Sequence, residues 1–223
     1  MNIDPKRIAA EKAVEWITNG MIIGLGTGST AYWAIQKIGE RVKQGLGVRA
    51  IASSEKSAQL ASQLNIPLTP FEEINLIDLT IDGADEADED KNLIKGGGGA
   101  LLREKIIASN SKKLIIVVDS SKLVTHLGKF PLPVEVTPFA ANLTQEKIKN
   151  LGVGVKWRMN KEKKYISDNG NFILDCNFGK IDNPYELNLQ LHLIPGVVET
   201  GLFVKMAPTI IVGHSNGKLE IRE

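Results

Sequence analysis

Four consecutive glycines, Gly96 to Gly99, rule out regular structure at one point of this chain, because helix and strand alike penalise that loss of backbone entropy. They fit a loop whose backbone N–H groups approach something closely, with Lys95 adding a positive charge beside them. Before the loop, the apolar run LIDLTI stops abruptly at Asp82 and reads as a buried strand that ends by presenting Asp82 and Asp85. After it, Ala100 to Ala108 has helical composition. The glycines therefore feed a helix N-terminus, a natural place for an anion.

The same alternation runs through the first 130 residues. Asp4-Pro5 reads as an N-cap with proline in the first turn, followed by Ile8, Ala9, Lys12, Ala13 and Trp16 at helical spacing. Met21 to Ile23 begins a short buried strand that enters Gly24-Leu25-Gly26-Thr27-Gly28-Ser29-Thr30, after which AYWAIQKIGERV reads as helix. Val48 to Ala52 is a second strand, with SSEKS opening the next helix, and Ile66 to Leu68 is a short third. Leu114 to Val118 is fully apolar and ends at Asp119, with Ser120, Ser121 and Lys122 just beyond. Strands alternating with helices predict an α/β fold, a Rossmann-like open, mostly parallel sheet with helices on both faces. Ligands bind such sheets beyond the carboxyl ends of the strands. GTGST, SSEKS, DGAD and DSSK all fall there.

The pattern changes after Pro131-Leu132-Pro133. Strands over 134–136, 155–159, 172–176 and 197–204, with helices over 143–151 and 185–193 and a turn at Asp168-Asn169-Gly170-Asn171, give β-α-β-β-α-β. That is the ferredoxin-like, split βαβ order. Thr209 to Gly213 returns to the main sheet. The expected division is residues 1–130 with 205–223 as the Rossmann-like catalytic domain, and 131–204 as a smaller α+β subdomain.

Charge bounds the partners. The 27 basic and 26 acidic residues nearly cancel, which argues against a nucleic-acid or membrane-surface role, so any preference for a charged ligand must be local. Cys176 is the only cysteine, which excludes an intrachain disulfide and points to a reducing compartment. The charged opening segment lacks a signal-peptide core, and no apolar run approaches a membrane span; the cytoplasm is expected.

The GLGTGST turn lacks the third glycine of a dinucleotide fingerprint and the lysine of a P-loop. It is either a capped strand-to-helix turn or a monophosphate cradle with hydroxyls of Thr27, Ser29 and Thr30 as donors. The acidic run Asp82, Asp85, Glu86, Asp88, Glu89, Asp90 does not match a calcium loop, and His126, His192 and His214 lack ligand spacing, so no metal is expected. Asp88, Glu89 and Asp90 read as a solvated loop; Asp82 and Asp85 differ because they end a buried strand. Glu104, among Ala100, Leu101, Ile107 and Ala108, would be poorly hydrated and its pKa pushed upward, which suits a general base. Arg103 and Lys105 have similar neighbours, so spacing alone leaves a charged stripe or a Lys pair as the alternative.

Together GLGTGST, DGADE, KGGGGALLREK and DSSK followed by LGKFPLPVEV resemble the type A ribose-5-phosphate isomerase family over nearly the whole chain. Gly99 and Leu102 are mild departures from the family's motif. The resemblance implies an aldose-ketose isomerase of the non-oxidative pentose phosphate pathway that interconverts D-ribose 5-phosphate and D-ribulose 5-phosphate through an enediolate. It implies Glu104 as the proton-transferring carboxylate, with Asp82, Asp85 and Lys95 around the sugar. It implies ligand contacts at Thr27, Gly28, Ser29, Thr30, Gly83, Ala84, Gly96, Gly97, Gly98 and Lys122, and phosphate at Lys6. No metal or organic cofactor is implied, and the partners are a sugar phosphate and further copies of the chain, as a homodimer or homotetramer. A non-catalytic sugar-phosphate sensor on the same scaffold is the alternative.

Overall fold

The computed structural model describes residues 4–223; Met1, Asn2 and Ile3 of the opening segment lie outside the described residues. The chain divides into two compact units. One takes the chain up to Ala84, Arg103–Leu123 and Met206–Glu223; the other takes Asp85–Leu102 and Val124–Lys205.

The first unit is built on strands β1 (Ile22–Leu25), β2 (Arg49–Ala52), β3 (Ile77–Gly83), β6 (Ser111–Asp119), β14 (Thr209–Gly213) and β15 (Leu219–Arg222). Their order is β15-β14-β6-β3-β1-β2, parallel except for the edge strand β15. The expected third strand reduces to a single bridge from Leu68 to Ala50. Helix α1 (Pro5–Val14) starts as its sequence predicts, with the Asp4 carboxylate accepting from the Lys6 N–H at 2.9 Å. Helices α2 (Ser29–Lys43) and α3 (Glu55–Gln63) follow β1 and β2. Ala9, Ala13, Ile35, Ile38 and Ala61 pack with Ile23, Leu25, Leu79, Ile81 and Val117 on one side of the sheet. Ile107 of α4 (Leu101–Ser109) packs with Ile51 and Ile77 in a separate cluster. Gly24 makes room there, since a Cβ would lie 2.6 Å from Ile107 Cγ2. Helical side chains thus pack on both layers, which explains why consecutive residues in the middle of the central strands are buried.

The second unit holds β7 (Leu132–Val136), β8 (Gly154–Trp157), β11 (Phe172–Asn177) and β12 (Val197–Thr200) in the order β12-β7-β11-β8, all antiparallel. This fourth-first-third-second order is the split βαβ arrangement. Ala141 and Ile148 of α5 (Ala141–Lys149) and Leu191 of α6 (Pro184–His192) bury against Val134, Val136, Leu174 and Cys176. The unit also includes the acidic turn and glycine loop, because β4 (Glu86–Ala87) and β5 (Leu93–Ile94) form a three-stranded antiparallel sheet with β13 (Leu202–Phe203). The single strand expected over 197–204 is split at Gly201, where a Cβ would lie 2.4 Å from the Lys95 carbonyl oxygen. The strand expected over 155–159 likewise divides at Arg158, beyond which β9 (Met159–Asn160) forms a hairpin with β10 (Lys163–Lys164).

Candidate active site

The first unit gathers its polar motifs at the carboxyl ends of adjacent parallel strands. Past β1, Gly26 approaches β3 so closely that a Cβ would sit 2.1 Å from Asp82 Oδ1. Asp82 is 2% exposed, and its Oδ1 accepts from the Thr27 N–H (3.1 Å) and the Gly83 N–H (2.7 Å). The carboxylate therefore fixes the entry to the GTGST turn. Gly28, at φ 105°, is the N-cap of α2 and supplies no side-chain cap, so Ser29 and Thr30 fall inside the helix. The turn is therefore made without the expected Ser/Thr cap, and the first N–H groups of α2 lie at the turn, where an anion can bind.

Lys6 Nζ donates to Ser29 Oγ at 3.2 Å and lies 3.9 Å from Asp119 Oδ2, linking α1 to the start of α2 and the end of β6. Lys122 is half-buried in the short 3₁₀ turn Ser120–Lys122, which the Asp119 carboxylate caps by accepting from the Ser121 N–H at 2.9 Å. Gly83 and Ala84 are half-buried. Glu104 is 3% exposed on α4, while Arg103 and Lys105 are half-buried. The helix thus singles out the one carboxylate that its sequence spacing leaves undistinguished from its basic neighbours.

Thr27 corrects the sequence reading of three available hydroxyls. Its Oγ1 donates to Ser54 Oγ (2.8 Å), Ser54 donates to Ser57 Oγ (3.0 Å), and Ser57 donates to the Gly26 carbonyl (2.7 Å). The remaining 2.8 Å contact with Ser53 Oγ is then one in which Thr27 accepts, since a hydroxyl has one proton. The Thr27 side chain thus braces the loop through SSEKS, leaving Ser29 and Thr30 as candidate hydroxyl donors.

The second unit orders the other half of the motif set. Asp85 is half-buried; its N–H donates to the Ile94 carbonyl (2.8 Å) and its Oδ2 accepts from the Gly97 N–H (2.7 Å). Lys95 is 2% exposed, with Nζ 5.3 Å from the Phe203 ring centroid and its N–H donating to the Gly201 carbonyl at 2.9 Å. Gly96 (φ 95°) and Gly99 (φ 85°) adopt left-handed backbone, and the Gly99 N–H closes the turn on the Gly96 carbonyl at 3.0 Å. A Cβ on Gly99 would sit 2.4 Å from the Tyr165 hydroxyl.

The rest of the acidic run is structural. Glu86, 3% exposed, accepts from the Gly128 N–H (2.7 Å) and the Phe130 N–H (2.6 Å), anchoring the LGKF segment. Asp88 is buried rather than solvated, because its carboxylate closes the β4–β5 turn on the Asn92 N–H (2.7 Å) and Nδ2 (3.0 Å). Glu89 and Asp90 are exposed. Among the described residues no group of three or more His, Cys, Asp or Glu side chains is placed to hold a metal ion, and no helix is long and apolar enough to cross a membrane.

Sequence reasoning missed Arg158, whose guanidinium donates to the Gly96 carbonyl (2.6 Å) and the Gly97 carbonyl (3.2 Å). Nothing in its local pattern marks it, because it lies in a strand break far along the chain from the loop it touches.

Comparison with known proteins supplies the family. The model of the family described as ribose 5-phosphate isomerase A (phosphoriboisomerase A) matches residues 49–217. A ribose-5-phosphate isomerase A of Bacillus cereus is 57% identical, covering 95% of this chain and 97% of its own. The structure of ribose 5-phosphate isomerase A from Methanocaldococcus jannaschii is 40% identical with a TM-score of 0.92, covering 98% of this chain and 99% of its own. A D-ribose-5-phosphate isomerase solved in complex with phospho-erythronic acid is 40% identical with a TM-score of 0.94, covering both chains fully at 100%. A family match across most of the sequence and relatives that agree from end to end lead to one conclusion: this chain belongs to the ribose 5-phosphate isomerase A family.

Proposed function

We propose that the protein interconverts D-ribose 5-phosphate and D-ribulose 5-phosphate, an aldose-ketose isomerisation within the pentose phosphate pathway, with Glu104 moving a proton between C2 and C1. The observation that carries the assignment of the base is the burial of Glu104 at 3% exposure on α4 while its charged neighbours stay half-buried. The end-to-end relatives are named as isomerases, which supports the reaction and gives the sensor alternative no support.

The reaction needs a carboxylate to take the C2 proton and return it to C1, and partners for the negative oxygen of the enediolate. Glu104 fills the first role. Lys95 and the N–H groups of Gly96 and Gly98 fill the second, while the Gly97 N–H is held by Asp85. Asp82, Gly83, Ala84 and Asp85 hold the sugar, with Asp82 Oδ1 committed to the backbone of the turn. The phosphate rests on Gly28, Ser29 and Thr30 at the start of α2, with Lys6 and Lys122 balancing its charge; Thr27 shapes that turn from behind. The phospho-erythronic acid bound to the relative is a sugar-acid phosphate, in keeping with a site for a phosphorylated carbon chain.

The test is a coupled assay with ribose 5-phosphate on wild-type and Glu104→Gln protein. The variant is expected to bind substrate with little change in affinity and to lose about 10²- to 10⁴-fold in kcat. Near-normal turnover would remove Glu104 from the role; an inactive wild type would remove the isomerase reading. A cytoplasmic setting and a homodimer or homotetramer extend the proposal. The lone cysteine supports the former, and a monomer mass by sedimentation would overturn the latter.

A further inference from the structure

The glycine loop is gripped from its carbonyl side by a charge pair outside every motif that the proposed reaction uses. Arg158 Nε donates to Asp175 Oδ2 at 3.1 Å and Nη2 donates to Oδ1, a fork-on-carboxylate contact. The third nitrogen, Nη1, donates to the Gly96 carbonyl (2.6 Å) and the Gly97 carbonyl (3.2 Å). The arginine side chain is 13% exposed. Its backbone is locked as well, with its N–H donating to the Ile173 carbonyl (2.9 Å) and its carbonyl accepting from the Tyr165 N–H (2.9 Å).

Peptide planarity turns these contacts into an orientation. The Gly96 carbonyl and the Gly97 N–H belong to one rigid unit. Arg158 holds its oxygen and the Asp85 carboxylate holds its N–H at 2.7 Å, so this peptide is fixed at both ends. In the next unit the Gly97 carbonyl faces Arg158, which turns the Gly98 N–H the opposite way. We propose that Arg158, aligned by Asp175, is a positioning residue for the isomerisation: it sets the peptide planes of the glycine loop so that the Gly98 N–H is aimed at the enediolate oxygen. This rests on the isomerase reading above. The guanidinium does not touch substrate; it acts through the loop. A lysine could not replace it, because a point charge cannot engage a carboxylate and two carbonyls in a fixed fork.

Arg158→Ala, Arg158→Lys and Asp175→Asn are compared with wild type for kcat, KM, circular dichroism and thermal midpoint. Arg158→Ala is expected to stay folded and lose about 10- to 10²-fold in kcat, the scale of a misplaced catalytic group, with KM changed far less. Low concentrations of guanidinium should restore part of that kcat, whereas the lysine variant should stay impaired. A merely structural role would give the opposite sign, since guanidinium denatures. Should Arg158→Ala fail to fold, Asp175→Asn, which keeps the guanidinium but removes its alignment, carries the test through the same drop in kcat. Wild-type kcat in any folded Arg158→Ala or Asp175→Asn protein, or a loss that guanidinium only deepens, overturns the proposal. Each comparison is made against an active wild type, so an inactive one sinks the isomerase reading instead and is seen separately.

Discussion

At the scale of single residues, the tightest constraint is the approach of Gly26 to Asp82. Added carbon at Gly26 would meet Asp82 Oδ1 at 2.1 Å and the Asp82 Cα at 2.6 Å, and the second of these is backbone that cannot swing aside. Gly26→Ala is therefore expected to destabilise the protein by about 1–3 kcal/mol, as overpacking does, and to lower kcat/KM by displacing Asp82. Unfolding in urea alongside the isomerase assay checks both; an unchanged midpoint with full activity would show that the turn yields freely. The site residues differ in how far the sequence reveals them. Asp82 follows from the abrupt end of an apolar run, and Lys95 from its place beside the four glycines. The Thr27 hydroxyl misleads, because its role depends on Ser53, Ser54 and Ser57, whose approach no spacing encodes. Asp88 misleads in the same way, since its solvation depends on a turn closed by Asn92.

At the scale of elements, the parallel sheet was legible because short apolar runs, such as Leu114–Val118, alternate with helical sequence. The split βαβ unit was legible from alternation and the Asn-Gly turn. The breaks at Arg158 and Gly201 were not, because they follow from pairing with residues distant in sequence. One ion pair ties the opening of β1 to β3 and β6. The Asp78 carboxylate accepts from Lys112 Nζ (2.8 Å) and from the Ile22 N–H (2.9 Å), and these two partners, the lysine foremost, hold its pKa below the usual value. A depressed folded-state pKa contributes stability above the ordinary carboxylate value of 3.8, which is lost as pH falls through the folded value. Asp78→Ala should cost about 1–2 kcal/mol near neutral pH, with the gap from wild type closing below about pH 4. Lys112 is largely solvent-facing, so the part-buried N–H contact is expected to dominate that loss. Urea midpoints of both proteins across that range check it; a constant gap would remove Asp78 as the titrating group.

At the scale of the whole molecule, each unit keeps its own core. Cys176 on β11 is 0% exposed within the second, and burial, with the Asp175 charge adding to it, pushes its thiol up to about 12. A thiol so placed reacts as thiolate only after the unit opens. Dithionitrobenzoate is expected to leave the native protein unlabelled at about pH 8 and to titrate one thiol in denaturant. Fast native labelling would show that this core opens far more often than its packing implies.

Neither unit is a continuous piece of chain: the backbone passes from one to the other at Ala84, Leu102, Leu123 and Lys205. Within the first, β14 lies between β6 and β15, yet its residues, Thr209–Gly213, follow nearly everything else in sequence. On the ribosome, the nascent polypeptide must therefore carry β6 as a bare apolar edge while the larger part of the second unit, Val124–Lys205, is being made. Such an edge invites pairing with foreign strands. Synthesis that stalls short of Thr209 leaves a product that chaperones must guard and that cannot complete its own sheet.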